Sequence, residues 1–138
     1  MDTRFTKIGT AGELLSVEAP EWVAVLDNTT NLIWDAGESA GLNWKQACEH
    51  PKSLSVAGFS DWRLPTVEEL FALADRTKFE PAIDTAFFPK CEGGWYWNST
   101  VDASSPGVYA WLVNFGYGDS SSSRQDYEGL VRAVRPRQ

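Results

Sequence analysis

Runs of β-branched and aromatic residues occupy both ends of the chain, and two stretches with helical spacing lie between them. "EWVAVLD" and "NLIWDA" are strand-like runs on either side of "NTT", which predicts a hairpin turning around Asn28 to Asn31. In "LNWKQACEH", Asn43 is followed three residues later by Gln46, a capping box that predicts a helix from Trp44 to about His50. A second box, Thr66 with Glu69, opens the helix in "SDWRLPTVEELFALAD". There Val67, Leu70, Phe71 and Ala74 fall at i, i+3, i+4 and i+7, one apolar stripe that requires a packing partner. Pro65 disfavours a helical Leu64, so this helix starts sharply.

Between Lys78 and Gly94, Phe79, Ile83, Phe87 and Phe88 anchor a long, ordered, irregular connection. Three further strands are expected in "WYWNST", "YAWLVNF" and "GLVRAVR". In the first of these, Trp95 and Trp97 share one face and Tyr96 and Asn98 the other. This aromatic cluster can serve as core or as a binding platform. Tyr117 to Gly129, "YGDSSSSRQDYEG", has neither helical nor strand periodicity and reads as a polar loop. Strands, two helices, a long loop and strands again make an α+β domain in which early and late strands meet in one sheet.

Composition narrows the function. With 43% hydrophobic residues in 138, one domain spanning residues 1–138 can form a continuous core without metal or disulfide staples. Seven Trp imply an aromatic core, an aromatic binding face, or both. The net charge of −7 disfavours nucleic acid, whose binding requires Lys and Arg on phosphates. Arg132 and Arg135 alternate with apolar residues and are expected to be ion-paired or to lie along apolar surface. The N-terminal "MDTRFTKIGTAGELL" is charged where a signal peptide is apolar, and no apolar run approaches the roughly 18 residues of a membrane span. Neither export nor membrane insertion is expected, which points to cytoplasmic expression or a virion-associated place.

Candidate chemistry is sparse. His50 is the only histidine, at an expected helix C-terminus where it complements the helix dipole. No serine elbow or cysteine signature accompanies it. Asp61, Glu68, Glu69, Asp75, Asp84, Asp102, Asp119, Asp126 and Glu128 form no calcium loop, so they read as surface carboxylates plus one cap. Cys48 and Cys91 either close one disulfide or remain thiols, with free thiols expected. No metal or cofactor is expected.

The stretches "WVAVLDNTTNLIWD", "LNWKQAC", "AGFSDWRLPTVEEL", "IDTAFFP", "WYWNST", "AWLVNFGYGD" and "VRAVR" occur in an order that resembles the Lcl C-terminal domain family, formerly DUF1566, over about Trp22 to Arg135. The resemblance implies a C-type-lectin-like fold, with small antiparallel sheets, two helices and long ordered loops, related to the formylglycine-generating enzymes. Within that wider group "RLPT-x-x-E" and the closing Arg-rich strand look like scaffold signatures. The resemblance to the family extends to its Tyr-Trp pair, which implies Trp97 in the core and leaves Trp95 or Tyr96 as the aromatic contact for a ligand. The oxidases of the group bind copper through late cysteines, and no cysteine follows Cys91. Calcium-dependent lectins carry EPN or QPD with WND, whereas this chain has only "WNS". Ala133 stands where some family members place a cysteine, so a bridge from there to a helix cysteine near Cys48 is not available.

Tyr117 to Gly129 is also similar to the variable segments of diversity-generating retroelement proteins. Mutating the adenines of an AAC codon gives Ser, Asp, Tyr, Gly or Arg, among others, and apart from Gln125 and Glu128 the segment consists of these residues. Tyr, Ser and Gly are favoured in paratopes as well. The expected function is a non-enzymatic recognition or adhesion module, phage- or prophage-encoded. It would present Tyr117, Asp119, Ser121, Ser123, Arg124, Asp126 and Tyr127, with Trp95 or Tyr96, to a protein or glycan. A structural virion or surface-assembly subunit and a divergent formylglycine-generating-type enzyme, the latter disfavoured, are the alternatives. Trimers in the resembling families imply a homo-oligomer that no residue pattern here encodes.

Overall fold

Two antiparallel segments near the N-terminus close through a turn that their own side chains stabilise. The computed structural model describes residues 4–73, 83, 86–88, 94–101, 109–114 and 119–137. Among these the chain order is β1 (Phe5–Ile8), β2 (Ala24–Asp27), β3 (Leu32–Asp35), β4 (Ser39–Leu42), α1 (Trp44–Glu49), α2 (Val67–Leu73), β5 (Trp95–Val101), β6 (Tyr109–Asn114), β7 (Asp119–Arg124), β8 (Gly129–Val131) and β9 (Val134–Pro136). The β2–β3 turn forms because the Asp27 carboxylate accepts from the Thr29 amide at 3.0 Å and hydroxyl at 2.7 Å. Asn31 takes the left-handed conformation that asparagine tolerates, with φ 63°. Arg4 clamps the same carboxylate through two bonds of 3.2 and 2.9 Å. Burial works against the charge of Asp27, but the bonds from Arg4 and Thr29 outweigh it and hold its pKa below the ordinary value.

The fold is α+β, with two sheets and two short α-helices among the described residues. One sheet has the order β1-β2-β3-β9 and the other β4-β8-β5-β6-β7. All pairings are antiparallel except β5 with β8. Early and late strands therefore meet as expected, but in two sheets rather than in one. "GLVRAVR" is not one strand, however. The chain leaves the second sheet after Val131 and enters the first at Val134. Arg132 at this crossing is fully buried, donating to the carbonyls of Asp35 at 2.7 Å and Gly37 at 3.2 Å and pairing with Glu38 at 2.7 Å. Arg135 pairs with Asp61 and lies over Phe59 at 3.8 Å, so both arginines have the structural roles expected of them.

Each helix starts on its capping box. Asn43 accepts from the Gln46 amide and Gln46 returns to the Asn43 amide, both at 2.9 Å. Thr66 accepts from the Glu69 amide at 3.2 Å, while Glu69 accepts from the Thr66 amide at 2.9 Å and takes two bonds of 2.8 Å from Arg63. Leu70 and Leu73 of α2 enter a core with Val25, Trp34, Ile83, Phe88, Tyr96, Val113 and Val134. The expected stripe is rotated: Leu73 is buried and Phe71 is 36% exposed, because residues three apart, here 67, 70 and 73, face the sheets. Ala74 and Phe79 lie outside the described residues. A second cluster joins Trp97, Leu112 and Val131 to Ala47 of α1.

Candidate recognition surface

The segment read as a loop is largely a strand. Asp119 to Arg124 pairs with β6 over six residues, from Asn114↔Asp119 to Tyr109↔Arg124. Its backbone finds partners on β6 whatever its side chains are, so a polar run with no apolar alternation can still extend. Directly opposite residues occupy one face of a sheet. The register Trp95↔Asn114↔Asp119 and Trp97↔Leu112↔Ser121, with Ser123 opposite Ala110, puts three candidate positions in rows with Trp95 and Trp97.

Tyr96 belongs to the opposite face and is removed from the candidate surface. It is wholly buried, and its hydroxyl donates to Glu38, the partner of Arg132, at 2.5 Å. Sequence alternation placed it correctly relative to Trp95 but could not say that both faces of the strand are packed, Tyr96 in one cluster and Trp97 in another. Trp97 is core, donating its Nε1–H to the Leu42 carbonyl at 2.8 Å. Trp95 is half-buried and remains a candidate.

Beyond β7 the chain turns, with the Tyr127 amide donating to the Arg124 carbonyl at 3.0 Å. The Gln125 carbonyl accepts from the Trp44 amide at 2.9 Å, which fixes this turn to the start of α1. Arg124 and Asp126 form an exposed ion pair at 3.4 Å, an arrangement worth little to folding. Tyr127 is 41% exposed and meets the Trp97 ring edge-on at 6.2 Å. Arg124, Asp126 and Tyr127 thus form one exposed turn at the end of the strand carrying Asp119, Ser121 and Ser123. Tyr117 lies outside the described residues, as do Asp75, Asp84, Cys91 and Asp102.

Residues 23–135 match the profile of the Lcl C-terminal domain. The chain belongs to the Lcl C-terminal domain family. No curated protein sequence matches it. The Lcl C-terminal region thus includes both helices and β2 through β9, while β1 and Gly9–Trp22 precede it.

That preceding segment builds a feature with no sequence signal of its own. A cleft of about 1100 Å³ lies between residues 9–23 on one side and Asp35–Gly37 and Ser55–Ala57 on the other. Its lining residues recur at no fixed spacing and come together only through folding.

Elsewhere the Lcl C-terminal domain offers isolated reactive groups. His50 Nε2 lies 2.9 Å from the Ser39 hydroxyl, but no described carboxylate forms an ion pair with the ring. Cys48 is a free thiol whose pKa burial raises, which lowers its thiolate fraction. Asp61 is held by Arg135, and Glu69 by Arg63 and the cap. No group of three or more His, Cys, Asp and Glu among the described residues converges as a metal site. No described helix is long and apolar enough to cross a membrane.

Proposed function

We propose that this chain works as one non-enzymatic recognition or adhesion domain of C-type-lectin-like architecture, meeting a protein or glycan with β7 and the turn through Tyr127. The observation that carries this function is β7 itself. A serine-rich strand is aligned residue by residue on β6, and among the described side chains the buried apolar clusters are built by other elements. A strand held by its backbone keeps its place when its side chains change, as a surface that varies its ligand requires. The codon-restricted composition of Tyr117 to Gly129 supports a diversified, phage- or prophage-encoded origin. Early and late strands shared between two sheets, with two helices packed against them, support the lectin-like architecture.

The test replaces Tyr117, Asp119, Ser121, Ser123, Arg124, Asp126 and Tyr127 together with alanine. Cooperative unfolding should persist, while the partner or glycan bound by the native domain in a pull-down or on a glycan array should be lost. Tyr127 should contribute strongly, since aromatic residues dominate interface hot spots. Unchanged affinity would reduce β7 and its turn to scaffold and leave Trp95 as the remaining contact.

A further inference from the structure

The segment that precedes the family match is pinned against the rest of the protein. The Leu15 amide donates to the Lys7 carbonyl at 2.8 Å, and the Val23 amide to the Ile8 carbonyl at 2.9 Å. The Lys7 side chain, only 7% exposed, donates to the carbonyls of Val17 and Ala19 at 2.7 and 2.8 Å and lies over the Trp22 ring at 3.9 Å. Trp22 in turn donates to the Phe87 carbonyl at 2.9 Å. These bonds fix one wall of the cleft, and the bond from the Ala36 amide to the Val23 carbonyl at 3.1 Å joins it to the floor.

The chemistry of the lining is one-sided. Leu15, Trp22, Val23, Ala36 and Val56 supply apolar surface, and among the described residues the charged lining groups are Glu13, Glu21 and Asp35, with no lysine, arginine or histidine. Glu13 and Glu21 are exposed at the rim. Asp35 is half-buried, within electrostatic reach of Arg132 and His50, and its side chain accepts one hydrogen bond among the described residues, from the Gly37 amide at 2.9 Å. A carboxylate partly removed from water, with lone pairs left over from its one hydrogen bond, can take a further charge-assisted bond from an incoming cation. The volume of about 1100 Å³ is at or above the upper end of small-molecule sites, which span roughly 300–1000 Å³. The cleft is also open to solvent, as suits a length of extended chain.

We infer that this cleft receives a basic peptide segment, its aliphatic stems lying on the Leu15–Trp22–Val56 surface and its ammonium or guanidinium groups meeting Glu13, Glu21 and Asp35. Lysine and arginine combine these two properties, an apolar stem and a charged head. The net charge of −7 favours the encounter at long range. This site is separate from the β7 surface and does not depend on it.

The test is calorimetric titration, at low and at physiological salt, with the capped peptide Ac-Lys-Leu-Lys-Leu-Lys-amide, its glutamate counterpart and free cadaverine. The lysine peptide should bind, weaken as salt rises, and shift amide resonances of Trp22 and Ala36. The glutamate peptide should not bind, and cadaverine should bind at least about tenfold more weakly than the lysine peptide, lacking the extended contact. The Glu13→Gln/Glu21→Gln/Asp35→Asn protein should bind the lysine peptide about tenfold more weakly. Should that protein not fold, Glu21→Gln alone, at an exposed position, should weaken binding about threefold. The seven-residue alanine replacement around β7 should leave it unchanged. No binding at low salt, equal binding by the glutamine variants, or cadaverine matching the peptide would each overturn the assignment.

Discussion

The pairs β3–β9 and β6–β7 use the same antiparallel ladder for different ends. In the first, Ile33 lies opposite Arg135 and Trp34 opposite Val134, all four residues buried. The outer edge of β9 is closed as well, since Arg63 and Val134 exchange backbone bonds of 2.9 and 3.0 Å. In the second, four consecutive serines lie opposite Leu112, Val113 and their neighbours, and Ser123 is partly exposed. Backbone pairing is indifferent to side-chain identity, whereas core packing is not. Substitution in the first pair therefore disturbs the sheet junction, whereas in the second Ala110, Leu112 and Val113 of β6 are themselves core and only substitution on the β7 strand is expected to be tolerated.

That contrast is sharpest at Arg132. Arg132→Ala should destabilise the protein by about 3–5 kcal/mol in chemical denaturation, because Glu38 is left buried without its cation. Tyr96→Phe, which removes only the hydroxyl bond to Glu38, should do less. Leu70→Ala should cost about 2–5 kcal/mol, as expected for a leucine wholly buried between the sheets. Thr66→Ala should cost about 1 kcal/mol through loss of the α2 cap. Ser121→Ala and Ser123→Ala should each stay within about 0.5 kcal/mol. A loss at β7 comparable with that at Leu70 would erase the distinction between the two ladders.

Titration separates two carboxylates of the scaffold. Burial works against the charge of Glu69, but its bonds with Arg63 and Thr66 outweigh this and depress its pKa. Its stabilisation is therefore present at neutral pH and is lost as pH falls through the folded-state value, below the ordinary glutamate range. Asp35 has the opposite sign, since burial raises its pKa. The folded state holds this proton more tightly than the unfolded state does, so that contribution is present at low pH and is lost as pH rises through the folded-state value. Glu69→Gln should thus be less stable than the native protein at pH 7, with the difference shrinking in acid. Asp35→Asn should be the more stable of the two at pH 7. Denaturant midpoints across pH 3 to 8 check both signs.

What the sequence determined by itself were features whose causes lie within a few residues. The β2–β3 hairpin is set by Asp27 and Asn31 at its turn, and both helix starts by boxes spanning three residues. Trp97 was readable as core from the family pattern, since strand alternation only placed it on one face with Trp95. Contacts between distant segments decided the rest. β7 is a strand because β6 lies beside it, and its own residues carry no strand period. The single run "GLVRAVR" became β8 and β9 because Arg132 found the carbonyls of Asp35 and Gly37 and the carboxylate of Glu38 at the crossing. Tyr96, alternating with Trp95, could have faced solvent or core, and it is core because Glu38 and the Val25–Trp34 cluster cover that face. The cleft joins Leu15, Asp35 and Val56. Short-range hydrogen bonds and turn conformations are written in neighbouring residues, but burial and charge complementarity depend on which distant surfaces the fold brings together.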